Sequence, residues 1–162
     1  MSPIDRRRFL TLTALACAAP ATSALAAADP YAGSPYRRLS DADWKQRLSP
    51  DAWRVLRHEA TERPGSSPLN REKRRGTFHC AGCGLALFRS EWKFESGTGW
   101  PSFFRVIPGA IGTKVDNTLG MRRTEYHCAQ CRGHQGHLFP DGPKPTGLRY
   151  CNNGLALSFR PA

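Results

Sequence analysis

The sequence holds two Cys-x-x-C pairs, Cys80-Ala-Gly-Cys83 and Cys128-Ala-Gln-Cys131, with residues 84 to 127 between them. Two residues between thiols let both sulfurs face one point from a tight turn, and Gly82 and Gly84 give the first turn the backbone freedom to aim amides at sulfur. Brought together, two such turns make a tetrahedral cage of four thiolates, the donor set that suits zinc. A single pair would be ambiguous with a redox-active dithiol, whereas two pairs point to a structural metal site. Disulfides in an oxidising compartment, or iron, are the alternatives for the same quartet. Whatever else the chain does, its fold has to bring these two distant turns to within a few ångströms, and a bound zinc would add about 10 to 16 kcal/mol to the folded state.

The amino-terminal stretch bears on which cysteines remain. Arg6, Arg7 and Arg8 precede an apolar run from Phe9 to about Ala21, and Ala24-Leu25-Ala26 offers a small-residue cleavage site. This is the three-part layout of an export signal, too short for a spanning helix of about 20 residues, and Arg6-Arg7 followed by Arg8-Phe9-Leu10 fits the twin-arginine type. Residues 1–26 are therefore expected to be a twin-arginine signal handled by the Tat export machinery, placing the mature protein in the periplasm or outside the cell. Cleavage removes Cys17, three arginines and Asp5, so the formal charge falls from +11 to +9. A basic surplus speaks to association with acidic partners and says nothing direct about fold. The basic loop at residues 71–76, REKRRG, reads as solvated surface, and export argues against nucleic acid as a partner.

Length suits one domain with a core of its own. Residues 27–39 lack periodicity and read as a flexible leader. Ser40 ahead of Asp41-Ala42-Asp43-Trp44 predicts a capped helix to about Leu48, and Ser49-Pro50 starts a second in which Trp53, Leu56 and Ala60 recur at helical spacing. From Thr77 onward the texture changes to short apolar or alternating pieces such as TFHC, LALF, SFFRVI and Leu155 to Phe159, broken by Gly and Pro, which predict antiparallel strands. The fold expected over residues 40–162 is mainly β, with two short N-terminal helices packed against it.

Once Cys17 and the four paired cysteines are set aside, Cys151 remains. A lone thiol is often just a small buried apolar residue. Here it is flanked by Asn152 and Asn153, with Arg149 two residues upstream, where a cation favours thiolate. His134 and His137, three apart in a Gly-containing segment, supply imidazoles able to donate protons at neutral pH. With the Trp-Pro turn at Trp100-Pro101, these residues suggest nucleophilic chemistry by cysteine.

The stretches CAGCGLALFRSEWKFESGTGWPSF and YHCAQCRGHQGHLFPDGPKPTGLRYCNN resemble the zinc-containing methionine sulfoxide reductases of the B type, over about residues 40–160. The resemblance implies two antiparallel sheets forming an open barrel-like body, with Cys80, Cys83, Cys128 and Cys131 holding a structural zinc. It implies Cys151 as nucleophile, His134, His137 and Asn153 as catalytic partners, Trp100 as the contact for the substrate methyl, and Asp141 and Arg149 as polar support around the substrate. The implied activity is that of a peptide-methionine (R)-S-oxide reductase, acting on free or peptide-bound methionine-R-sulfoxide through a sulfenic acid at Cys151. Such a protein is expected to act as a monomer.

Four residues depart from the family pattern. Thr98 stands where many members carry a resolving cysteine, so the sulfenic acid is expected to be reduced by an external thiol such as a thioredoxin-like protein. Gln135 and Asn152 replace apolar residues, and Gly154 replaces a serine. The competing reading is an exported zinc-ribbon-like module that binds an acidic partner; it assigns no role to Cys151, His134 or His137.

Overall fold

A computed structural model describes residues 29–162; the expected signal, with Cys17, lies outside the described residues. Of the expected leader, residues 29–39 run along the second Cys-x-x-C turn, where Arg37 donates to the carbonyls of Ala129 at 2.6 Å and Gln130 at 3.3 Å. Helix α1 spans Asp41–Arg47 and helix α2 spans Pro50–His58. Both start where the capping residues require. The Asp43 amide donates to Ser40 Oγ at 3.2 Å and the Ser40 amide returns a bond to Asp43 Oδ2 at 2.8 Å, while the Ala52 amide donates to Ser49 Oγ at 3.3 Å. Trp44 of α1 and Val55 and Leu56 of α2 are buried.

Nine short strands follow: β1 (Gly76–Cys80), β2 (Ala86–Arg89), β3 (Lys93–Phe94), β4 (Ser102–Phe103), β5 (Ile111–Asp116), β6 (Arg123–Cys128), β7 (His134–Phe139), β8 (Arg149–Asn152) and β9 (Leu157–Pro161). They form two antiparallel sheets, one ordered β2-β1-β9 and the other β3-β4-β8-β7-β6-β5. The sheets are not closed into a barrel, since no strand of one pairs with a strand of the other.

What joins the sheets is an aromatic core. Phe78 and Phe88 of the small sheet meet Phe103, Tyr126 and Tyr150 of the large one. Phe88 stacks on Phe103 with ring centroids 4.1 Å apart and planes 8° from parallel, and Phe78 meets the same ring edge-on at 4.9 Å. These are the offset and edge-to-face contacts that aromatic quadrupoles favour.

The strand expected over SFFRVI is shorter than its apolar run. Only Ser102 and Phe103 pair, with Tyr150 and Cys151 of β8, and the next amide, Phe104, donates instead to Trp92 O at 3.0 Å. That two-residue strand nevertheless fixes one flank of the strand that carries Cys151. Because Phe103 is fully buried between both sheets, Phe103→Ala should cost about 3 to 5 kcal/mol of unfolding free energy, measurable as a lowered denaturant midpoint of the metal-loaded protein.

Candidate functional site

The site is built where β7, β8 and the Trp100 turn converge, and a defect in β7 makes it possible. In a regular strand, residues three apart point to opposite faces. Here the pairing of β7 with β6 steps from Tyr126↔Gly136 to His127↔His134, leaving Gln135 as an extra, bulged residue. The bulge restores His134 and His137 to one face, with ring centroids 5.5 Å apart. On the other side of β7, His137 lies opposite Cys151 of β8. The approach of β8 is close: a Cβ on Gly136 would fall 1.9 Å from the Cys151 carbonyl oxygen, so glycine is required there.

Cys151 opens into a cavity of about 140 Å³ shared with Trp100, Arg123, His137, Phe139 and Asn153. Two larger surface depressions, of about 710 and 590 Å³, contain no cysteine, so size does not locate the chemistry here. His134, Arg149 and Asp141 are not part of the cavity wall. Arg149 makes a two-pronged pair with Asp141, Nε to Oδ1 at 2.8 Å and Nη2 to Oδ2 at 2.9 Å, and lies over the Phe139 ring at 4.3 Å. Two residues before Cys151 on β8, it shares that residue's face of the strand and acts on the thiol directly from outside the cavity wall.

The electrostatics of the two central groups run opposite to the simplest expectation. Burial pushes the Cys151 thiol above its ordinary range; Arg149 and the Thr98 hydroxyl beside it pull the other way without overcoming it. Burial likewise lowers the His137 pKa, against the pull of Asp116, whose Oδ2 lies 2.7 Å from His137 Nε2. Asp116 is itself kept well below the usual carboxylate range by hydrogen bonds from the Thr118 hydroxyl and amide and from His137. His134 is held by a different carboxylate: its Nδ1 lies 2.7 Å from Glu125 Oε1, and His127 takes the other oxygen at 3.1 Å. Burial would raise Glu125, but hydrogen bonds from His127 and His134 outweigh it and bring its pKa to about 2.

Glu62 organises the rest. Its amide donates to Asn153 Oδ1 at 3.0 Å, its carbonyl accepts from Trp100 Nε1 at 3.1 Å, and its buried carboxylate accepts the amides of Gly154 and Leu155 at 2.6 and 3.0 Å. Asn153 also donates from Nδ2 to Gln135 O at 3.1 Å, so both ends of its amide hold backbone. Gly154 is explained by the same packing, since a Cβ there would lie 1.9 Å from Ser67 Oγ. Glu62, Asp116, Arg123 and Glu125 were not singled out by the sequence reading. Each acts through partners brought in by the fold, and no local motif marks them.

The four paired cysteines do meet. Their sulfurs all lie within 4.8 Å of one another, with Cys80 and Cys131 at 3.6 Å and Cys83 and Cys128 at 3.5 Å. Metal–sulfur bonds of about 2.3 Å in a tetrahedron put sulfurs just under 4 Å apart, and amides of Gly133 and Gln135 point at Cys131 Sγ and Cys80 Sγ at 3.4 and 3.5 Å, as thiolate acceptors require. The cluster could hold a metal. None of the four lines the cavity at Cys151.

The SelR domain matches residues 48–161. The chain is 50% identical over 129 residues to a peptide methionine sulfoxide reductase MsrB of Agrobacterium fabrum, an alignment covering 79% of this chain and 96% of that one. Proteins of the same name from Leptospira interrogans and Bradyrhizobium diazoefficiens are 48% and 51% identical over 122 and 123 residues, covering 75% of this chain and 93% and 88% of theirs. The chain belongs to the peptide methionine sulfoxide reductase B family. Within that family frame, Cys151, His137, Trp100 and Asn153 share one cavity, while His134, Arg149 and Asp141 lie outside its wall.

Two consequences can be measured. Gly136→Ala should displace β8 and cut the rate of Cys151 alkylation or turnover at least tenfold, without removing the four-cysteine cluster. Because the folded His137 pKa is depressed below its ordinary 6.5, the unfolded state binds the extra proton as the pH drops past 6.5, so stability falls there. Asp116→Asn removes a contribution that raises His137, and an NMR titration of the His137 ring should show its pKa move further down.

Proposed function

We propose that this protein is an exported oxidoreductase that reduces methionine-R-sulfoxide, free or peptide-bound, with Cys151 as nucleophile. The observation that carries the reading is the pairing of Cys151 with His137 across β7 and β8 at a cavity walled by Trp100, in a chain about half identical to proteins named as peptide methionine sulfoxide reductases.

The opposed pKa shifts suggest how the proton is supplied. With the thiol raised above 9.0 and the imidazole lowered below 6.5, the resting pair near neutrality is thiol and neutral imidazole. The thiol proton passes to His137, and the imidazolium delivers it to the sulfoxide oxygen as thiolate attacks the sulfoxide sulfur. Attack forms a transient bond between the Cys151 sulfur and the substrate sulfur, now bearing hydroxyl. That bond and the substrate S–O bond then break as the hydroxyl passes to the Cys151 sulfur, so methionine leaves and Cys151 remains as sulfenic acid. Methionine sulfoxide is reduced by two electrons and the thiol is oxidised by two. His134, fixed by Glu125, supports the imidazolium; the Trp100 face packs on the S-methyl group, where indole gives apolar and sulfur-directed contact. Asn153 is tied through Glu62 to the Trp100 indole, which fixes that ring relative to the strand carrying Cys151, and Asp141 holds Arg149 near the thiol.

Regeneration falls to an outside thiol. Thr98 sits beside Cys151, and the other cysteines among the described residues belong to the four-sulfur cluster. A thioredoxin-like reductant attacks the sulfenic acid to give a mixed disulfide and water, and its second thiol frees Cys151. The cluster is read as structural zinc, loaded before passage through the twin-arginine route to the periplasm or beyond, and the protein works as a monomer.

The test is turnover with dithiothreitol on each sulfoxide epimer. Activity should be R-selective and lost in Cys151→Ser, with dimedone labelling Cys151 after one equivalent of substrate; activity surviving Cys151→Ser would reject the assigned nucleophile. The pH profile should be flat between the two pKa values and fall below the His137 limb and above the Cys151 limb. Thr98→Cys should convert single-thiol chemistry to a two-thiol form, consuming two free thiols per turnover in the absence of reductant instead of one.

A further inference from the structure

Gln135 and Asn152 are fully buried amides at positions where the family resemblance leads one to expect apolar side chains. Their partners form a connected path. Gln135 Nε2 donates to Cys80 Sγ at 3.5 Å and to Gly133 O at 3.4 Å; Gln135 Oε1 accepts from Asn152 Nδ2 at 3.5 Å; Asn152 Oδ1 accepts from Tyr126 OH at 2.8 Å, and Asn152 Nδ2 also reaches Asn153 O at 2.7 Å. Every polar atom of both amides has a partner, and the orientation of each follows from those partners. The two acceptors facing Gln135 Nε2, a sulfur and a carbonyl, exclude the flipped amide. A second link runs alongside: the Gln135 carbonyl, one step beyond the Gly136↔Asn152 pair, accepts both Asn153 N at 2.8 Å and Asn153 Nδ2 at 3.1 Å.

One end of this path is a cysteine of the four-sulfur cluster and the other is the residue next to Cys151. From this connection we infer that Gln135 and Asn152 are positioning residues that couple metal occupancy of the cluster to the presentation of Cys151. The inference rests on the cluster being the metal site. A sulfur held by a metal is a fixed acceptor for Gln135, and the amide it orients is fixed in turn against Asn152. Two apolar side chains would fill the same space without transmitting direction. The coupling runs in both directions, so a change at Asn152, which touches no cluster sulfur, should alter metal binding, just as a change at Gln135 alters Cys151.

The test uses the full chain loaded with zinc, and two readouts independent of sulfoxide turnover: zinc affinity by chelator competition, and the rate of Cys151 alkylation by iodoacetamide. Gln135→Leu should weaken zinc about tenfold, the lower end of the usual effect of a group that orients a metal ligand, and change the alkylation rate at least threefold. Asn152→Val should change the alkylation rate and also weaken zinc at least threefold. The double variant, in which two apolar groups replace two paired amides, should be no worse than the more affected single variant in either readout. Zinc affinity within twofold of the parent in Asn152→Val, or effects of the two substitutions that multiply in the double variant, would overturn the coupling. Should a single variant fail to fold, the double variant decides: zinc removal should change its alkylation rate less than it changes that of the parent, and an equal change overturns the proposal. Loss of sulfoxide reductase activity in the parent would reject the proposed function and leave these two measurements standing.

Discussion

Four sulfurs within 4.8 Å of one another tie the end of β1 and the turn after it to the end of β6 and the turn before β7. Since β1 belongs to the three-stranded sheet and β6 and β7 to the six-stranded one, the cluster spans the only interface in the described fold where no strand pairing holds the two sheets together. The aromatic stack of Phe78, Phe88 and Phe103 covers the same interface with apolar area. Hydrophobic contact is non-directional; a metal held by these four sulfurs would fix the angle and the register of the turn that leads into β7. That turn launches the bulge, and the bulge places both histidines.

The site depends on strain-free but unusual local choices. Gly136 lets β8 come close enough for its carbonyl to crowd the position where any other side chain would begin. Glu62 ties two separate stretches, the Trp100 turn and residues 153–155, to a single loop residue. Asp116 takes His137, and Glu125 takes His134 together with His127. The consequence is a cavity where burial dominates both central groups, raising the Cys151 thiol and lowering the His137 imidazole, which suits the proposed proton transfer between them.

Much of this was legible in the chain because it is written in short-range spacing. Two thiols on one turn, a Ser-Pro helix start, a capping box from Ser40 to Asp43 and a single unpaired cysteine are all patterns decided within a few residues. The mainly β class and both helices followed from such patterns. SFFRVI misled because an apolar run reports burial, and burial at Phe103 does not require that Phe104 and its neighbours continue the ladder. The roles of Glu62, Asp116 and Glu125 stayed hidden because a glutamate in a loop looks the same whether it ends in solvent or, as Glu62 does, 91 residues along the chain against Asn153.

The sequence by itself determined the ligand quartet, the identity of the remaining thiol, the two imidazoles and the family likeness, since each depends on residue type and local spacing. Tertiary structure decided which residues share the cavity, that His134 and Arg149 lie outside its wall, and that burial outweighs Arg149 at Cys151. It also showed that Gln135 and Asn152, which look in sequence like two unrelated polar substitutions, are one hydrogen-bonded pair. The reason is physical: burial, pKa and hydrogen-bond partnership are properties of what packs around a group, and what packs here comes from strands that only the fold brings together.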